Sequence, residues 1–179
     1  MNSLTSTLFF IVIALSMGEL LLAWLWVPAY YRFGIPMYQV SFKLSEAPAD
    51  MSALIPKLES ALPRTMWNRA VIFRSLDVQE LAFRNQLGSR NAPVHGRIHF
   101  DPYNYELVIT GYFYWAMLLL PLLFIGFFLS DGFFLLMGAF FVLVLGLNIV
   151  MLRSSYGRIS NVVQEIFKVQ HEHNLEDSR

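Results

Sequence analysis

The residue best placed to do chemistry is Glu19, because it lies within a long apolar segment. It is the only charged side chain between Met1 and Tyr31. A carboxylate in the hydrocarbon core of a membrane is costly, and it marks a functional site or a polar contact between helices. The candidate contacts are Ser16, one helical turn earlier, together with Asn148 and Tyr114. The position is compatible with a protonated carboxyl that joins helices, with a contact to another subunit, or with proton or ion transfer.

The histidines raise the question of a metal site. His99 and Asp101 are two residues apart on a predicted strand and therefore share a face, whereas His171 and His173 lie in a polar tail. His95 is four residues from His99, about 13 Å along a strand, which is too far to share one ion. No pair has the spacing of a closed zinc site. We therefore predict solvated surface histidines and no metal ligand.

Sequence motifs of common enzymes are missing from this chain. It contains no phosphate-binding P-loop, dinucleotide fingerprint, Gly-x-Ser-x-Gly elbow or His-Glu-x-x-His helix. We therefore predict no catalytic residue, no cofactor and a non-enzymatic protein. A membrane-bound enzyme that uses His99 and Asp101 is a weaker alternative.

Basic residues are spread through the middle of the chain and alternate with acidic ones. This pattern predicts a solvated face, with contact to anionic lipid headgroups as the second interpretation. The formal net charge is zero, which argues against nucleic acid as a partner. The residues concerned are Arg64, Arg69, Arg74, Arg84, Arg90 and Arg97.

The elements that would position these residues are predicted to be largely membrane helices. The 179 residues are 56% hydrophobic and 15% charged, against about 25% charged in soluble domains. Three stretches with at most one charge are long enough for the roughly 20 residues that a transmembrane helix needs. We predict helices at about 8–27, 111–129 and 132–152. The short link at 130–132 makes the last two an antiparallel hairpin.

The distribution of Lys and Arg predicts the orientation. Residues 1–7 and the link at 130–132 hold none of the 13 basic residues. The N-terminus is therefore predicted outside and the C-terminus inside, in a membrane that we take to be a bacterial inner membrane. The start lacks the basic region of a cleaved signal peptide, so we interpret the first apolar segment as a retained anchor.

A small α+β domain is predicted between the first two spans. Met37–Ser45 alternates apolar and polar residues as a half-buried strand does, and Met51–Leu62 has helical spacing. Strands are further predicted at 70–75, 80–84, 97–101 and 105–110, which gives an antiparallel sheet. A domain of this size has a marginal core, so it is expected to lean on the membrane, on the C-terminal helix or on a partner.

The chain thus divides into four parts. Residues 1–31 form transmembrane helix 1, 32–110 a cytoplasmic domain, 111–152 a transmembrane hairpin and 153–179 an amphipathic helix with a polar tail. Small residues that allow close helix approach are Ala14, Gly18, Gly138 and Gly146. They predict packing among the three helices or docking onto another membrane protein.

The function predicted from these features is that of an accessory or assembly subunit of a larger membrane complex. The expected partners are membrane lipids and either other membrane subunits or further copies of the chain. The alternative is a small transporter or ion-conducting oligomer that uses Glu19. A sensor of the lipid surface that uses the domain, with its net charge of +2, and the tail helix is a further possibility.

Overall fold

The computed structural model describes residues 3–45, 47–48, 50–64, 70–85, 94–115 and 134–177. The segment 116–133, which contains most of the predicted second span and the link to the third, lies outside the described residues. Arg69, Arg90 and the side chains of His171 and His173 lie outside them too. The predicted transmembrane hairpin is therefore described only at its two ends.

The chain opens with two helices of very different length. Helix α1 covers Ser3–Trp24, and the short helix α2 covers Pro28–Arg32 with Pro28 in its first turn. Proline suits that position because its missing N–H would have no helical partner there. On α1, Glu19 and Ala23 are buried one turn apart, while most other described side chains of the helix are exposed.

Five strands form one antiparallel sheet, as the sequence predicted. They are β1 (Pro36–Lys43), β2 (Val71–Asp77), β3 (Glu80–Asn85), β4 (His95–Asp101) and β5 (Glu106–Tyr112). The order across the sheet is β1-β5-β4-β3-β2. Strands β2 to β5 form a meander of neighbours in sequence, and β1 joins it beside the last strand.

A helical segment between β1 and β2 begins with a 3-10 turn at Met51–Leu54 and continues as α3 (Ile55–Ala61). The Asp50 carboxylate accepts a hydrogen bond from the Ser52 N–H at 2.7 Å and so caps the start. Pro56 lies in the first turn of α3, where it does not break the helix.

The C-terminal helix α4 is a single element of 44 residues, Phe134–Asp177. It joins the predicted third span and the predicted amphipathic helix without a break. Its described side chains are largely exposed up to Met151, and from Leu152 onward one face is buried against the sheet. The expected support for the small domain therefore comes from its own C-terminal helix.

The core lies between one face of the sheet and helices α3 and α4. Strand residues of this face are buried together with Leu58 of α3 and with a stripe on α4. Spacings of three and four residues place this stripe on one side of the helix. Its members are Leu152, Tyr156, Ile159, Val163 and Phe167.

Tyr156 fixes the position of α4 on the sheet. Gly96 and Gly111 are paired across β4 and β5, and a Cβ at Gly111 would collide with the Tyr156 ring. The Tyr156 hydroxyl lies 3.0 Å from His95 O and 2.7 Å from Tyr112 O and donates to these carbonyls. Gly111 thus leaves the space that the Tyr156 ring fills, whereas a Cβ at Gly96 would meet the Thr110 carbonyl and the Phe83 ring.

The end of β5 differs from the sequence prediction. The strand continues through Gly111 and Tyr112, which were assigned to the start of the second span. The reason is tertiary, because Gly111 lies under Tyr156 and Tyr112 pairs with His95.

One described helical stretch, Val142–Phe167, is long and apolar enough to cross a membrane by length and composition alone. The apolar part of α1 that meets the composition test is shorter, Phe10–Trp24. The coordinates thus give one candidate span.

Candidate functional site

The polar and aromatic residues of interest meet where α2 rests on the second face of the sheet and α1 contacts α2. We call this region the junction. Its members are Glu19, Trp26, Tyr30, Tyr31, Arg84, His95 and Tyr114.

The end of α1 places Trp26 in an unusual backbone conformation. The Val27 N–H donates to Leu22 O at 3.2 Å and the Trp26 N–H to Ala23 O at 3.4 Å, which is the Schellman pattern of a helix end. That pattern needs a left-handed residue, normally Gly, yet Trp26 occupies it with φ 55°. Such strain costs on the order of 1–3 kcal/mol and persists where the surroundings enforce it. Here the indole is held by stacking on Tyr31, with ring centroids 5.3 Å apart.

Two tyrosines of α2 reach back to α1. The Tyr31 hydroxyl donates to Ala23 O at 2.9 Å, and the Tyr31 side chain is fully buried. The neighbouring Tyr30 hydroxyl donates to Glu19 Oε1 at 3.1 Å. A tyrosine hydroxyl keeps its proton at neutral pH, so Tyr30 is a donor to the Glu19 carboxyl group.

Glu19 is held by groups of the domain that follows α1. Its Oε1 accepts from Tyr30 and, at 2.7 Å, from the backbone N–H of Trp115, 96 residues along the chain. Only 6% of the Glu19 surface is exposed. The carboxylate thus connects α1 to α2 and to the segment that leaves β5.

The three residues proposed beside Glu19 occupy different places. The Ser16 hydroxyl donates to Val12 O at 2.8 Å and the Asn148 amide to Val144 O at 2.9 Å, each within its own helix. Tyr114 lies in the junction, where its ring contacts Tyr30 edge-on with centroids 6.5 Å apart. Of the three candidates, Tyr114 is therefore the one that the fold brings near Glu19, because it contacts Tyr30, which binds the Glu19 carboxyl group.

His95 is enclosed by aromatic rings. Tyr30 stacks on the imidazole with centroids 4.7 Å apart, and Tyr114 meets it edge-on at 4.3 Å. Burial lowers the pKa of His95 to about 3, so the imidazole is neutral at physiological pH. The prediction that His95 is a solvated surface histidine was wrong, because α2 covers the strand face that carries it.

Arg84 is the second correction, because it is 93% buried rather than part of a solvated face. It pairs with His95 across β3 and β4, and its guanidinium carbon lies 4.6 Å from the centroid of the Trp26 ring. A cation–π contact contributes about 0.5–2 kcal/mol. This is less than the several kcal/mol that burial of an unpaired ion costs. Trp26 alone therefore does not compensate the Arg84 charge.

An ion triad anchors α2 beside the junction. Glu80 of β3 accepts from Arg32 of α2 at 2.7 Å and from Arg97 of β4 at 3.2 Å. The Glu80 side chain is only 6% exposed, and both of its oxygens are engaged. The triad thus fixes α2 over the sheet and engages both oxygens of Glu80.

Asp101, which with His99 was the weaker alternative for an enzyme site, is engaged in a turn. Asp101 accepts from the Tyr103 N–H at 3.0 Å and from the Asn104 amide at 2.8 Å. Within the described ranges, no group of three or more His, Cys, Asp or Glu residues is arranged to hold a metal ion.

The small residues of the long helices have open surroundings. Ala14 is exposed, and a Cβ added at Gly18, Gly138 or Gly146 would meet no described atom within 4 Å. In the described part of the chain, these positions have room for a neighbouring helix.

Comparisons with protein families, with curated proteins and with solved structures found no match to this chain.

Proposed function

We propose that the chain is a non-enzymatic, membrane-anchored accessory or assembly subunit of a larger membrane complex. The observation that carries the proposal is the contrast between the junction and the helix surfaces. In the junction, Glu19, Tyr30 and Tyr31 make contacts that join α1 to the domain. The described surfaces of α1 and α4, in contrast, expose many large apolar side chains.

The extent of this apolar surface supports a role in lipid and protein contacts. Soluble monomers rarely expose contiguous apolar patches larger than a few hundred Å². On α1 the exposed fraction is 69% for Phe10 and 61% for Met17, and on α4 it is 73% for Val142 and 65% for Val150. We propose that lipids cover most of this surface and that other subunits, or further copies of the chain, cover the rest. The open glycines on these helices would allow a partner helix to approach closely.

The proposed arrangement has three membrane spans, with the N-terminus outside and the sheet domain on the cytoplasmic side of a bacterial inner membrane. Support for it comes from the placement of the 13 basic residues and from the apolar surfaces of α1 and α4.

A small transporter or ion-conducting oligomer that uses Glu19 remains the alternative. The recorded bonds favour the structural role, because Oε1 of Glu19 is held by Tyr30 and by the Trp115 backbone. A carrier group must exchange its partners during each cycle. Here one donor is the Tyr30 hydroxyl of the junction and the other is the backbone N–H of Trp115, directly after Tyr114.

The experiment is co-purification of C-terminally tagged chain at native expression in a mild detergent, with two substitutions of Glu19. A stoichiometric larger complex is expected for the wild type. Glu19→Gln should preserve this complex because the amide oxygen can accept the same two bonds, whereas Glu19→Leu should lose most of it.

A wild-type species that contains only this chain would contradict the accessory role. Loss of transport in Glu19→Gln with intact assembly would favour the transporter instead. Glu165→Gln on the exposed side of α4 is the matched control and should behave as the wild type.

A further inference from the structure

The second face of the sheet holds three enclosed nitrogen atoms for which the described residues offer no hydrogen-bond partner. They are Arg84 Nε, His95 Nδ1 and Arg97 Nε. Arg84 and His95 are directly opposite each other on β3 and β4, and Arg97 follows two residues along β4 on the same face. Buried donors are almost always paired in folded proteins. Three in one patch point to a ligand.

The charge of this patch is positive and incompletely neutralised. The two buried carboxylates of this region are already engaged, Glu80 by Arg32 and Arg97 and Glu19 by the Tyr30 hydroxyl and the Trp115 N–H. The Arg84 guanidinium makes a cation–π contact with the Trp26 ring, which carries no charge. Arg74 adds a further cation, since it lies opposite Ala82 and therefore on the same face. The charge of the buried Arg84 guanidinium therefore calls for an anion beside it.

The position of the patch indicates what kind of anion reaches it. Trp26 lies at the end of α1, whose exposed surface is apolar, and tryptophan at such a point is typical of the membrane–water interface. Phospholipid phosphates lie at this depth. A guanidinium presents a planar set of donors that matches a phosphate in two-point contact.

We propose that the junction binds a phosphate group, with Arg84 as its principal charged ligand and Arg74 and His95 as further donors, and that an anionic phospholipid headgroup supplies this phosphate. The proposal rests on the membrane anchoring in the proposed function but not on any partner subunit. The left-handed backbone of Trp26 fits this role, because it holds the indole against the buried cation that faces the ligand.

The test is thermal unfolding of the full chain, purified in a mild detergent and stripped of lipid. One arm adds phosphatidylglycerol to the micelles, with phosphatidylcholine as comparison. The other adds sodium phosphate, with sodium chloride at equal ionic strength as comparison. At about 100 times the Kd, we expect the unfolding midpoint of the wild type to rise by about 5–10 °C.

Two variants make the test specific for the junction. Arg84→Gln should lose more than half of the rise, and it should unfold no earlier than the wild type without ligand because it removes a buried unpaired charge. Arg153→Gln, which removes one exposed cation from α4, should keep the full rise. If Arg84→Gln does not fold, the change in the unfolding midpoint of the wild type with the two phosphate probes still tests the proposal.

The outcomes separate the two sources of phosphate. A rise with phosphatidylglycerol alone supports the headgroup, whereas a rise with sodium phosphate as well supports a phosphate site that soluble anions can fill. No rise in the wild type with either probe, or an equal rise in Arg84→Gln, overturns the proposal. A chain that co-purifies with a stoichiometric partner while failing this test would lose the phosphate site and keep its proposed function.

Discussion

At the scale of single residues, His95 shows how packing removes the ordinary chemistry of a side chain. An imidazole in water takes up a proton near pH 6.5. The rings of Tyr30 and Tyr114 exclude water from His95, and this burial disfavours the charged imidazolium. The residue therefore acts as a polar aromatic ring within the core of the junction.

The stability of the protein is predicted to fall in acid because of His95. Above pH 6.5 the imidazole is neutral in both the folded and the unfolded chain, so its contribution does not change. Below pH 6.5 the His95 imidazole of the unfolded chain binds a proton, whereas in the folded chain it stays neutral down to about pH 3. The unfolding equilibrium constant should therefore rise by up to about tenfold per pH unit across this window.

Denaturant unfolding in detergent between pH 7.5 and 4 measures this effect. His95→Phe should flatten the pH dependence by about one proton relative to the wild type. Equal slopes in the wild type and His95→Phe would exclude His95 as the group responsible.

At the scale of elements, the docking of α4 on the sheet depends on Gly111. A side chain there would meet the Tyr156 ring, whereas a side chain at Gly157, the next residue on α4, would meet no described atom within 4 Å. Gly111→Ala should reduce the free energy of unfolding by about 1–3 kcal/mol through overpacking. Gly157→Ala should leave it unchanged or raise it by up to about 1 kcal/mol, because alanine favours the helix.

Chemical denaturation of both variants under one condition compares them directly. The pair is matched in substitution and differs in the space around the added methyl group. A Gly111→Ala variant as stable as the wild type would mean that Tyr156 can shift without loss, and that it does not fix the position of the helix.

The sequence predicted elements better than it predicted what covers them. Alternation in Met37–Ser45 and the spacing in Met51–Leu62 correspond to β1 and to the 3-10 turn with α3. The interleaving of basic residues, Arg84 among them, with acidic ones suggested a solvated face. It cannot show that α2 folds over that face, because the contacts between α2 and β4 join residues more than 60 positions apart. For this reason Arg84, His95 and Trp26 were missed.

At the scale of the whole molecule, the proposed orientation in the membrane predicts which parts of the chain face the cell exterior. The absence of cysteine from the sequence allows a clean test. Thr7→Cys lies near the start of α1, and Tyr103→Cys lies in the turn between β4 and β5, where Tyr103 is 93% exposed. In intact cells a membrane-impermeant maleimide should label only the first variant, and both should react after the membrane is disrupted.

The unmodified chain is the control for this labelling, because it offers no thiol. Labelling of Tyr103→Cys in intact cells would place the sheet domain outside and reverse the orientation. Protection of both variants would place both positions inside and would contradict a first span.

The order of the strands also has a consequence for synthesis of the protein. Strand β1 pairs with β5, so the pair of Pro36 with Tyr112 cannot form until the meander of β2 to β5 has been synthesised. The hydrogen bond between Glu19 and the Trp115 N–H forms after a longer delay, because Trp115 is 96 residues further along the chain. At about 5–20 residues per second, α1 leaves the ribosome roughly 5–20 s before this partner exists. In the proposed arrangement, the first helix therefore enters the membrane before the domain can cover the Glu19 carboxyl, and the junction forms only after the last strand has been translated.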